Sequence, residues 1–97
     1  MSNSILMRDI IRERRVELGL SQVELGRSLG VASGEFICMV EAGRRHFAVN
    51  NIPRLATALG LGAADLCRCA LFELAPALYK ATFGETEPER PKPITNL

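Results

Sequence analysis

The chain has no tryptophan, a single histidine and only 5% aromatic residues. No run approaches the roughly 20 apolar residues needed to cross a bilayer as a helix. Its opening, MSNSILMRDIIRERR, lacks the layout of a secretory signal. A cytoplasmic protein with no membrane span is therefore expected. The lone His46 has no Cys, Asp or Glu placed around it as a ligand set or triad, and no glycine-rich phosphate loop, metal motif or nucleophile elbow occurs. An enzyme is not expected, and neither is a bound cofactor or metal.

Cysteine is scarce and odd in number. Cys38, Cys67 and Cys69 lack metal-ligand spacing, and Cys67 and Cys69, two apart on a helix, point to different sides of it. Reduced, mostly buried thiols are expected, with a redox-sensing role as the alternative. A strong charge of either sign is missing too. The net charge is +1, whereas a markedly basic domain is the usual footprint of a nucleic-acid binder. Its distribution is uneven, because acidic residues gather late (Glu85, Glu87, Glu89) while Arg44, Arg45 and His46 are consecutive. A basic patch on a nearly neutral chain follows.

What is present is an ordinary globular mix, 97 residues of which 47% are hydrophobic and 24% charged, enough for one core. The chain is organised around Ser21 to Gly43, SQVELGRSLGVASGEFICMVEAG. Ser21 and Glu24 form an S-x-x-E capping box, so a helix begins here. Leu25 and Leu29 lie one turn apart on one face, and Gly30 can take the left-handed conformation that ends a helix. Ser33 is a second cap candidate, Phe36, Ile37 and Val40 fall on or beside one face, and Gly43 stops the second helix. Two helices this short, joined by so tight a turn, must cross steeply, which is the helix-turn-helix arrangement.

Leu20-Ser21-Gln22, Glu24-Leu25, Leu29-Gly30-Val31, Ile37 and Glu41-x-Gly43-Arg44-Arg45 resemble the phage-repressor (Xre/Cro-type) helix-turn-helix family. The resemblance runs from about Ile11 to Leu66 and includes IPRLATALGL. It implies a compact all-α, lambda-repressor-like domain of five or six helices with a C-terminal helical extension. Two departures stand out. Gly26 occupies a position that is usually alanine, and one residue more than in the simplest members separates Gly30 from Ile37.

Elsewhere, Ser2, Asn3 and Ser4 offer caps for a first helix to about Leu18, with Leu6, Met7, Ile10, Ile11 and Leu18 in its apolar stripe and Gly19 at its end. Its polar face, Arg12, Glu13, Arg14 and Arg15, reads as a solvated surface with Arg–Glu pairs, with phosphate contact as the alternative. A fourth helix is capped by Asn50 or Asn51, carries Pro53 in its first turn, buries Leu55, Ala56 and Leu59, and ends at Gly60. A fifth starts at Ala63, with Leu66, Ala70, Leu71 and Leu74 in register. Pro76 either kinks it or opens a separate helix. The expected domain covers residues 1–84, with a helical dimerisation segment over 63–84, and residues 85–97 form a disordered tail of alternating charge and proline.

The resemblance implies a bacterial or phage transcriptional regulator that binds double-stranded DNA as a homodimer on a pseudo-palindromic operator. It places Ser33, Gly34, Glu35, Phe36 and Met39 against base edges, with Phe36 divided between core and reading face. Ser21, Gln22, Arg44, Arg45 and His46 fall to phosphate. Glu41 is expected to hold the fold through an internal ion pair. Leu71, Leu74, Leu78, Tyr79 and Phe83 exceed one apolar stripe and are either a dimer interface or a larger intramolecular core. A different class of function is the alternative, an antitoxin-like or adaptor module that presents the scaffold to another protein.

Overall fold

A computed structural model describes residues 4–30 and 34–94 of the chain. The cap candidates Ser2, Asn3 and Ser33, Val31 of the turn, and the tail's last three residues lie outside them. Among the described residues the structure is all-helical: α1 (Met7–Glu17), α2 (Gln22–Ser28), α3 (Glu35–Glu41), α4 (Ile52–Leu59), α5 (Ala63–Leu74) and α6 (Pro76–Phe83), with a 3₁₀ turn at Val49–Asn51. Pro76 therefore opens a sixth helix rather than kinking the fifth. It occupies the first helical position, where a missing N–H costs nothing.

Helix α1 starts later than its serine caps suggest. Leu6 is the N-cap and supplies no side-chain bond, while Ser4 Oγ donates to Asp9 Oδ2 at 2.7 Å, bracing the first turn from outside it. Met7, Ile10 and Ile11 are buried against Leu25, Ile37, Leu55, Leu59 and Leu66. Removing that apolar surface from water is the main force holding the bundle. The capping box of α2 is formed in both directions: Ser21 Oγ accepts the Glu24 N–H at 3.0 Å, and Glu24 Oε1 accepts the Ser21 N–H at 2.8 Å. Hydrogen bonding from the Ser21 N–H, and then from its side chain, holds the Glu24 carboxyl below its ordinary pKa.

The arginines of α1 do more than cover its surface. Arg14 Nε donates to the Leu59 carbonyl at 2.7 Å, satisfying an orphan acceptor at the C-terminus of α4, where a cation is favoured by the helix dipole. Arg15 crosses to α3, as described below.

The tail expected to be disordered, residues 85–97, is described as far as residue 94. Residues 85–94 run back along the body, tied to it at points far apart in sequence. Tyr79 Oη donates to the Thr86 carbonyl at 2.7 Å, and the Ile94 N–H donates to the Gly60 carbonyl at 2.8 Å, next to an isolated antiparallel bridge between Leu61 and Pro93. Arg90 donates to the Ser4 carbonyl at 2.6 Å and pairs with Glu13 at 3.4 Å. Pro88 and Pro91 are buried. A segment poor in apolar residues is thus held by backbone carbonyls and proline rings, which composition does not register.

Candidate nucleic-acid interface

α3 lies across the first turn of α2, and glycine makes this possible. A Cβ on Gly34 would come within 2.9 Å of both the Val23 backbone N and its Cγ2. Gly34 is accordingly buried at the N-cap of α3. It was expected among the base-contacting positions, but it is the contact between the two motif helices.

The far end of α3 is fixed by charge. Nε and Nη2 of Arg15 donate to Oε2 and Oε1 of Glu41 at 2.7 and 2.9 Å, a two-pronged pair whose side chains are 13% and 6% exposed. Arg15 Nη1 also donates to the Leu20 carbonyl at 2.9 Å, and Gln22 Nε2 donates to Glu41 Oε1 at 3.2 Å. Planar guanidinium and carboxylate groups meeting in this way fix orientation as well as distance. The Glu41 hydrogen bond raises the Arg15 pKa further above its ordinary value. One network therefore joins α1, the start of α2 and the end of α3. Gln22, expected at phosphate, has part of its amide committed to this network.

With Ile37 and Val40 buried, the outward strip of α3 consists of Glu35, Cys38 and Ala42, with Met39 half-buried beside them. Cys38 and Ala42 were missed by sequence reasoning. The signal was there, since positions opposite Ile37 and Val40 on a 3.6-residue period include both. Phe36 is not on the strip. Its ring meets Phe47 edge-on at 5.1 Å between centroids, and Arg45 lies over it at 5.6 Å, so it closes the edge of the core.

Arg44, Arg45 and His46 are all exposed and follow the C-terminal end of α3, where Gly43 at φ +78° turns the chain. His46 leans toward α5 instead of standing with the arginine pair, its Nδ1 lying 4.0 Å from Glu73 Oε2. Of the expected interface residues, Tyr79 is a correction. It is buried at 4% exposure within its own chain, ringed by Phe72 and Phe83. Leu71 and Leu74 are half-buried, whereas Leu78 is 55% and Phe83 39% exposed.

The thiols differ sharply. Cys38 is exposed, contrary to the expectation of mostly buried cysteines, and Cys69 is fully buried with its Sγ donating to the Glu89 carbonyl at 3.3 Å. Burial, aided by Asp65, pushes the Cys69 thiol up to about 11. A thiol-specific reagent is expected to label Cys38 first and Cys69 last. In an unfolded chain a cysteine ionises near pH ~8.5. The fold therefore retains a proton that the unfolded chain loses, so stability should fall as pH rises from that value toward 11. Urea midpoints measured across this range, with Cys69→Ala as the control that lacks the decline, would check it.

Among the described residues no helix is long and apolar enough to cross a membrane. No family model and no curated protein matches the chain. Among solved structures it is similar to the hypothetical transcription factor NHTF from Neisseria, at 37% identity and a TM-score of 0.55, over 62% of this chain and 68% of that one. On that identity and coverage, the chain belongs to the same family as this hypothetical transcription factor.

Proposed function

We propose that the protein is a sequence-specific transcriptional regulator of the phage-repressor (Xre/Cro) type, binding a pseudo-palindromic operator as a homodimer with α3 in the major groove. The observation that carries this reading is a short helix with an exposed strip, clamped at one end by Gly34 and at the other by Arg15–Glu41–Gln22, and followed at once by two exposed arginines. Rigid placement of a helix is what groove reading requires, and phosphate contacts from flanking cations set its register.

The strip has unusual reading chemistry. Glu35 can accept from the cytosine N4 amino group, while Met39, Cys38 and Ala42 suit thymine methyl groups. Ser21 and the rest of the Gln22 amide lie at the start of α2, where they can reach a phosphate.

Replacing Arg44 and Arg45 together by alanine is expected to weaken binding to every sequence alike. Each lost phosphate contact lowers the slope of log affinity against log salt by about 0.9, so four contacts per dimer reduce it by roughly 3 to 4. Gel-shift titrations at several salt concentrations, beginning with DNA flanking the protein's own coding region, measure this. An unchanged slope would remove these arginines from the DNA.

One observation favours the rival reading of an antitoxin-like or adaptor module. The outward strip has no Arg, Asn or Gln for two-pronged base recognition, and Cys38, Met39 and Ala42 would equally suit an apolar protein surface. Failure to shift any DNA at low salt would decide for that reading.

A further inference from the structure

Between the first turn of α1, the turn after α3 and the end of α5 lies a cavity of about 120 Å³. We propose that it binds a small organic carboxylate whose apolar body is about the size of a benzene ring. Size sets the first limit. An apolar cavity of ~150 Å³ holds benzene, whereas drug-sized ligands occupy ~300–1,000 Å³. Met7, Ile11, Val40, Phe47, Ile52 and Leu74 make the walls apolar, which suits a ring or a branched chain and not a sugar or nucleotide.

Charge sets the second limit. Arg8, Arg45, His46 and Glu73 are the charged or titratable residues lining the same cavity. Glu73 is already engaged, since its Oε1 accepts the Met7 N–H at 2.8 Å and its Oε2 is 4.0 Å from His46. Among the described residues neither Arg8 nor Arg45 has a carboxylate partner. The remaining balance is cationic, and a planar guanidinium fork matches a carboxylate. Gly43 helps to build the site. Arg8 Nη1 lies 2.9 Å from where a Cβ on Gly43 would stand, so a bare glycine lets that guanidinium cross the turn to the cavity's edge.

Ligand binding at this cavity does not depend on the DNA reading. Its consequence does: a carboxylate held by Arg45 competes with phosphate for the same side chain, so the ligand should release DNA.

The test is titration of the full chain, followed by amide NMR shifts, with benzoate and 3-methylbutanoate, and with benzyl alcohol and benzylammonium as neutral and cationic counterparts. Saturable shifts at cavity residues are expected, with benzoate bound about tenfold more tightly than benzyl alcohol because it alone makes charge-assisted bonds. Arg8→Gln should lose about the same factor. Leu6→Trp, at a half-exposed position on the lining, should block the mouth and abolish binding with the melting curve unchanged. Absence of saturable shifts, equal binding of benzoate and benzyl alcohol, or undiminished binding in both variants would overturn the proposal. Gel shifts with and without benzoate read the competition separately, so a protein that failed to bind DNA would still give the ligand result.

Discussion

Glu41→Ala is expected to destabilise the protein by about 1.5–3 kcal/mol, the range for hydrogen bonds to a charged group, because the pair with Arg15 is two-pronged and part-buried. The loss is large because Arg15 would keep its charge at 13% side-chain exposure with no carboxylate beside it. Its bond to the Leu20 carbonyl satisfies only one of its three polar contacts. Gln22 would lose its acceptor as well. Urea denaturation measures the change as a lower midpoint at constant slope. The double variant Arg15→Met/Glu41→Leu removes both charges, and buried pairs replaced in this way often return most of the stability. If the pair exists to aim α3, the double variant should be stable yet poor at binding DNA. The single variant's deficit should not depend on pH through Arg15. Its folded pKa is raised, so the stabilising interaction is complete below the ordinary arginine value and is lost only as pH rises beyond it. The alkaline decline assigned to Cys69 should therefore persist in the Glu41→Ala protein. If Glu41→Ala were within about 0.5 kcal/mol of the parent, as exposed pairs are, the network would be incidental to the fold.

The parts of this structure that sequence revealed are those fixed by neighbours three or four residues apart. Ser21 with Glu24, Gly30 and Gly43 at helix ends, Gly60 at φ +63° and Pro76 at the start of α6 all act through local backbone chemistry, and each marked a real boundary. Glu41 was legible as an internal ion-pair residue from the family resemblance. Its partner was not, because Arg15 is 26 positions away and looks like any other residue of a basic helix surface.

The same limit explains the misplacements. In sequence Gly34 reads as an open position at the start of the reading helix, and only the approach of Val23 shows why a side chain cannot be accommodated there. The packing of residues 85–94 is hidden for a related reason. Its ties are made by backbone carbonyls at Ser4, Gly60, Thr86 and Glu89, groups that every residue possesses and no composition reveals. In sequence Tyr79 reads as surplus apolar surface, because its hydroxyl's partner, the Thr86 carbonyl, lies in that same segment.

Leu78→Glu is expected to turn a dimer into a folded monomer and to lower operator affinity by about 10²–10⁴-fold. That factor is typical when two linked binding events become independent ones. Leu78 is the appropriate position because it is 55% exposed on α6, with Leu71 and Leu74 half-buried on the adjoining α5. Tyr79 would be a poor choice. A charge there would displace a buried ring and break its bond to Thr86, so lost binding would only report unfolding. A glutamate at an exposed helical position costs little in an isolated chain, but at the centre of an apolar interface it leaves a desolvated carboxylate without a partner. In the proposed reading a dimer is required, because a two-fold pair would set two copies of α3 about one duplex turn apart, roughly 34–36 Å. A seven-residue α3 with one acidic and several small apolar outward residues makes few base contacts of its own. Specificity then depends on adding two half-sites, and the monomer should retain only weak, strongly salt-dependent binding. Light scattering should report half the parent mass with unchanged helical circular dichroism. A parent protein already monomeric at micromolar concentration, or a Leu78→Glu variant that still dimerises and binds, would show that α6 merely caps the core and that any partner copy docks elsewhere.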